Sequence, residues 1–120
     1  MTGRVTGLGG LFIRAKDPEA LAAWYAEHLD IAANGPWAQD AGISVLGLFA
    51  RDSDYWPTDR AFMFNLRIED LDAMTARLEA AGIEVLRNPD WDMPEIGRFV
   101  RIHDPEGNPI ELWEPAGPAP

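Results

Sequence analysis

Residues 103–115 read HDPEGNPIELWEP. Two side chains in that stretch could do chemistry. His103 has an unperturbed pKa near neutrality and could act as a general base. Glu111 sits inside an alternating apolar run. It could ligate a metal, move a proton or hold a ligand, or it could simply pair with a nearby arginine. A divalent metal needs several ligands of matched type, so the rest of the chain must supply them. It has no cysteine, which removes disulfides, thiolate sites and cysteine nucleophiles. The other histidine, His28, falls in a helical stretch and reads as exposed or capping. No Ser–His–Asp spacing occurs. The GLGG of residues 7–10 lacks the G-x-G-x-x-G form and precedes a strand, not a helix.

The elements that would position these groups come twice. LFIRAKDPEALAAW from Leu11 aligns with FNLRIEDLDAMTAR from Phe64 at a constant offset of 53 residues. Arg14 matches Arg67, Asp17 matches Asp70, Ala20 matches Ala73 and Ala23 matches Ala76. Each unit opens with a short apolar strand, over 8–15 and 61–68. Each aspartate is then placed as a helix N-cap, with Pro18 at the first helical position of the first unit. Leu21, Trp24, Tyr25 and Leu29 share one helical face; Leu71, Met74, Leu78 and Ala81 share another. Gly82 suits the end of the second helix. Strand-like pieces follow at 42–50, 97–103 and 108–114. DPEGN has strong turn chemistry, so 97–114 predicts a hairpin. Strand, helix, then several strands, twice over, is an α+β fold with a mostly antiparallel sheet.

A chain of 120 residues suits one domain, and 47% hydrophobic residues suffice for a core. The formal net charge of −10 argues against nucleic acid and against an anionic membrane surface. The N-terminus MTGRVTGLGG lacks the apolar core of a signal peptide, and no run is long enough to span a membrane. A cytoplasmic protein is the expectation.

RAKDPEALAAWYAEHLDI, NLRIEDLDAMTARLEAAGIEV and above all GRFVRIHDPEGNPIELWEP resemble the vicinal oxygen chelate superfamily. That group includes glyoxalase I, extradiol dioxygenases and bleomycin-resistance proteins. The resemblance covers about 8–115. It implies a single glyoxalase-like domain over 1–115, built from two βαβββ modules (about 8–58 and 61–115). Their mixed, mostly antiparallel sheet would curl around a cavity, and 116–120 would be a flexible tail. It also implies a homodimer. Metal-dependent members of the family take a histidine from the first strand of each module and a carboxylate or similar group from the last. Counting back from the N-cap aspartates reaches Gly10 and Met63 instead. The last strand of the second module supplies Glu111, and the counterpart, within ISVLGLFA, offers no ligand. Glycine has no donor and a thioether is a poor ligand for a hard cation. The expectation is therefore no metal and no cofactor.

Alternation along the strands places the remaining groups. Phe12, Met63, Phe99 and Trp113 would line the cavity, with Arg14, Asn65, Arg67, Arg101, His103 and Glu111 among them. Glu111 and His103 are the candidate catalytic residues. Phe12, Arg14, Met63, Asn65, Phe99, Arg101 and Trp113 are the candidate ligand contacts. Such an arginine-bearing apolar cup suits a small, partly apolar and anionic organic molecule, with sequestration or a lyase- or isomerase-type reaction. The alternatives are a metal-dependent lyase or dioxygenase, for instance through His103 with Glu111, and a non-catalytic drug-binding resistance protein. Trp37, Tyr55, Trp56 and Trp91 lie in loops and would serve as lids over the cavity or as dimer contacts.

Overall fold

A computed structural model of the protein describes residues 2–117; the last three residues of the expected tail, 118–120, lie outside the described residues. Helix α1, Pro18–Leu29, starts where the Asp17 side chain accepts the Ala20 N–H at 3.1 Å. A second carboxylate reinforces this start from far along the chain. Glu106 accepts the N–H groups of Lys16 at 2.6 Å and Asp17 at 2.8 Å. Leu21, Tyr25 and Leu29, spaced by four, form the buried stripe of α1.

Helix α2, Leu71–Ala80, repeats the design. Asp70 accepts the Ala73 N–H, and Glu114 accepts the Leu71 N–H. Its end is a Schellman turn at Gly82, with φ +82°: Ile83 N–H donates to the Leu78 carbonyl and Gly82 N–H to that of Glu79.

Three strands form the sheet: β1 Phe64–Arg67, β2 Gly97–His103 and β3 Pro109–Pro115. Their order is β1-β3-β2, with β1 parallel and β2 antiparallel to β3. Leu86 adds an antiparallel bridge to Arg101 on the outer side of β2. The hairpin between β2 and β3 turns through DPEGN as its residue types predict. Asp104 is its hub. It accepts the N–H groups of Glu106 and Asn108, the Asn108 side-chain amide and the Tyr25 hydroxyl of α1. Both helices cover one face of the sheet, where Val100, Ile102, Ile110, Leu112 and Phe64 pack against Leu21, Tyr25, Leu71 and Leu78. Complete burial of a side chain such as Ile102, Ile110 or Leu112 contributes roughly 2 kcal/mol.

The expected strands of the first module do not join this sheet. Residues 8–15 and 42–50 carry no ladder hydrogen bonds, although Ile13 and Ala15 pack partly against the core. Phe12 is 92% exposed and Leu46 86%. An alternating apolar strand needs a hydrogen-bonded neighbour as well as an apolar cover, and among the described residues these segments have no ladder partner. The observed sheet is mixed, with the longer β2–β3 pairing antiparallel and the shorter β1–β3 pairing parallel. No helix among the described residues is long and apolar enough to cross a membrane.

Candidate functional site

Ladder register lines up three polar residues on the sheet face turned away from the helices. Asn65 on β1 partners Glu111 on β3, which partners Arg101 on β2. The next row is Arg67, Trp113 and Phe99. Period-two alternation sends these side chains opposite to the core set.

Glu111 is only 6% exposed. Its two oxygens are held by neutral donors: Asn65 Nδ2 at 2.8 Å and the Tyr55 hydroxyl at 2.5 Å. No arginine lies within ion-pair distance of it among the described residues. The simple arginine pairing considered for Glu111 is therefore replaced by an amide–carboxylate–phenol chain. Burial, followed by the hydrogen bond to Glu111, pushes the Tyr55 phenol up to about 12.

Arg101 is 5% exposed. Its guanidinium carbon lies 5.0 Å from the Tyr55 ring centre and 4.7 Å from that of Trp91. The two rings are 6.1 Å apart, so the cation sits in a corner between them and not in a sandwich. Nη1 donates to the Tyr55 carbonyl at 2.9 Å. Nε and Nη2 are buried and have no acceptor among the described residues.

The cover over this row is aromatic. Phe49 stacks on Tyr55 with centres 5.5 Å apart, and Trp56 meets Phe49 edge-on. The loop is fastened at its far end by Arg60, whose Nη2 donates to the Glu106 carbonyl. Sequence reasoning placed Tyr55 in a lid or dimer contact and not on Glu111. The two are 56 positions apart, and no periodicity links an irregular loop to a strand.

The other expected site residues divide. Phe99 and Trp113 stack at 6.1 Å with nearly parallel rings, beside the polar row. Trp113 Nε1 is occupied by the Ile96 carbonyl. His103 lies at the end of β2 opposite Pro109, half-buried. Burial, then the neighbouring Arg101 charge, holds its pKa below the usual histidine value, which favours a neutral ring. Met63 is half-buried just ahead of β1. Phe12 and Arg14 are exposed on the unpaired first segment and are not brought to the row. Arg67 turns to the 40–41 carbonyls instead. Glu111 and Arg101 are both closed off from solvent. A hollow of about 340 Å³ lies elsewhere, between the head of α1 and the DPEGN turn, beside Lys16, Ala20 and Pro105.

The metal of the family's enzymes does not fit these residues. Gly10 and Met63 stand where histidines would, and both Glu111 oxygens are engaged. Among the described residues no three His, Asp or Glu side chains gather closely enough to hold a metal ion.

The sequence model of a family described as "Glyoxalase-like domain" matches residues 10–113. The crystal structure of TnmS3, described as an antibiotic binding protein from Streptomyces sp. CB03234, superposes with a TM-score of 0.59 at 24% identity, over 96% of this chain and 100% of that one. A structure described as "conserved domain protein" superposes with a TM-score of 0.61 at 18% identity, over 92% and 99%. At these identities the likeness is one of fold. The curated "Putative glyoxylase CFP32" of Mycobacterium tuberculosis and Mycobacterium bovis is 39% identical over 49 residues. That stretch is 41% of this chain and only 18% of the curated relatives.

Proposed function

Because this chain belongs to the glyoxalase-like domain family, of the vicinal oxygen chelate superfamily, we propose that it binds a small, partly apolar, anionic organic molecule without using a metal. The site is the Asn65–Glu111–Arg101 row with its aromatic cover. The observation that carries this reading is the charge state of the row. Its carboxylate is held by two neutral donors, while its buried cation has no carboxylate within 4.0 Å among the described residues. Such a cation is costly to bury unpaired, so an anion that reaches it is favoured. Phe99 and Trp113 supply apolar wall alongside. Sequestration is the simplest activity of such a site. A lyase- or isomerase-type proton transfer at Glu111 would first require the Tyr55 hydroxyl to leave it.

The reading includes a homodimer. Phe12, Val45, Leu46 and Leu48 are exposed apolar side chains on segments that join no strand, the kind of surface another chain covers. A second copy would cover them, and a two-fold pair covers both at once. The internal repeat maps Phe12 onto Asn65 and Arg14 onto Arg67. A first segment paired across the dimer would thus present Phe12 and Arg14 at positions equivalent to those of the second module. This is why both belong to the proposed site.

Elemental analysis tests the metal-independent part. Protein incubated with Mn²⁺, Ni²⁺, Zn²⁺ or Fe²⁺ and then desalted should retain no stoichiometric metal. One ion per chain, lost on Glu111→Ala, would refute it.

A further inference from the structure

We propose that the group recognised at this site is a monoanionic carboxylate, taken side-on by Nε and Nη2 of Arg101; this rests on the binding reading above. The N–H of Nε and one N–H of Nη2 leave the guanidinium on the same side, parallel and coplanar. That edge matches the two oxygens of a carboxylate. Here it is the free edge: Nη1 is spent on the Tyr55 carbonyl, while Nε and Nη2 have no acceptor among the described residues although both are buried. Buried donors without partners are rare enough in folded proteins to need an explanation, and a bound ligand is one.

Charge selects among anions. Glu111 lies directly across the ladder from Arg101, and the chain carries −10 overall. One negative charge is balanced by Arg101. A second, as on a phosphate or phosphonate dianion, would face Glu111 with no cation left to offset it. The Tyr55 and Trp91 rings flank the guanidinium, at 5.0 and 4.7 Å from its carbon, and an aryl body attached to the carboxylate would meet these faces. Both free nitrogens are shielded from solvent, so a ligand reaches them only if a covering group moves, and Tyr55 is one such cover. What holds that residue to the row is its hydroxyl bond to Glu111 and its carbonyl bond to Arg101.

The test is calorimetric titration of the full chain at neutral pH with benzoate, benzamide and phenylphosphonate. Benzoate should bind, with benzamide and phenylphosphonate each about tenfold weaker or worse. Arg101→Lys keeps the charge but loses the parallel edge, and should weaken benzoate by about tenfold while the circular dichroism spectrum is unchanged. Phenylphosphonate binding more tightly than benzoate would overturn the carboxylate assignment and leave the anion-binding reading standing; benzamide binding as tightly as benzoate would overturn both. Full benzoate affinity in a folded Arg101→Lys protein would overturn the assignment. Should that variant not fold, the three-probe comparison on the unaltered chain decides alone. If no probe binds up to its solubility limit, the site reading falls together with the assignment.

Discussion

Each of the two tyrosines of this chain donates its hydroxyl to a carboxylate: Tyr25 to Asp104 and Tyr55 to Glu111. Burial is the larger cause in both, and both phenols are raised above the ordinary value of 10.0, Tyr55 to about 12 and Tyr25 further. A raised acid binds its proton more tightly in the folded state than in the unfolded one. The stabilisation is therefore complete below pH 10 and is lost as pH rises through the folded values. Ultraviolet difference spectra should show no phenolate in native protein at a pH where urea-unfolded protein is already half ionised. The tyrosine share of stability should be lost on the alkaline side of the denaturation profile. Tyr55→Phe should remove the Tyr55 share and cost roughly 1–3 kcal/mol, because a buried carboxylate loses one of its two donors. A phenolate appearing at the ordinary pKa in folded protein would mean that Glu111 is not held as described. Neither partnership was legible in the chain. Glu111 was, because the alternation of PIELWEP fixes its face, and so were Arg101 and Asn65 by the same rule. What alternation cannot give is the partner that a non-repeating loop delivers.

At the scale of elements, Asp104 links α1 to the β2–β3 hairpin. It is buried and accepts four hydrogen bonds. Asp104→Ala should destabilise the protein by roughly 3 kcal/mol or more, since several buried donors lose their acceptor together. Chemical denaturation measures this, and an effect under about 1 kcal/mol would contradict the network. Caps, helix stripes, the Gly82 ending and the DPEGN turn were all readable from residue types, because each depends on chemistry within a few positions. The strands expected at 8–15 and 42–50 were read by the same alternation as β2 and β3. Alternation marks a segment fit to pair, and pairing also needs a free neighbour. β3 is flanked by β1 and β2, and β2 takes a bridge from Leu86 on its other side; the outer edge of β1 is left, and those segments do not pair with it.

At the scale of the molecule, the exposed segments predict self-association. Sedimentation velocity should show a dimer, and Phe12→Asp with Leu46→Asp should shift it to monomer while both helices persist in circular dichroism. A monomeric unaltered chain would count against the shared site. The Glu106 clasp on the head of α1 has a bearing on how the protein is made. Helix α1 lies in the first quarter of the chain, yet the carboxylate that steadies its first turn, the acceptor for its tyrosine and the core it packs on lie at residues 64–112. A ribosome therefore releases α1 long before the groups it docks on exist, and the helix must wait, with its apolar stripe uncovered, until the β2–β3 hairpin follows it out. The DPEGN turn, made well after α1, is the piece that closes the fold around it.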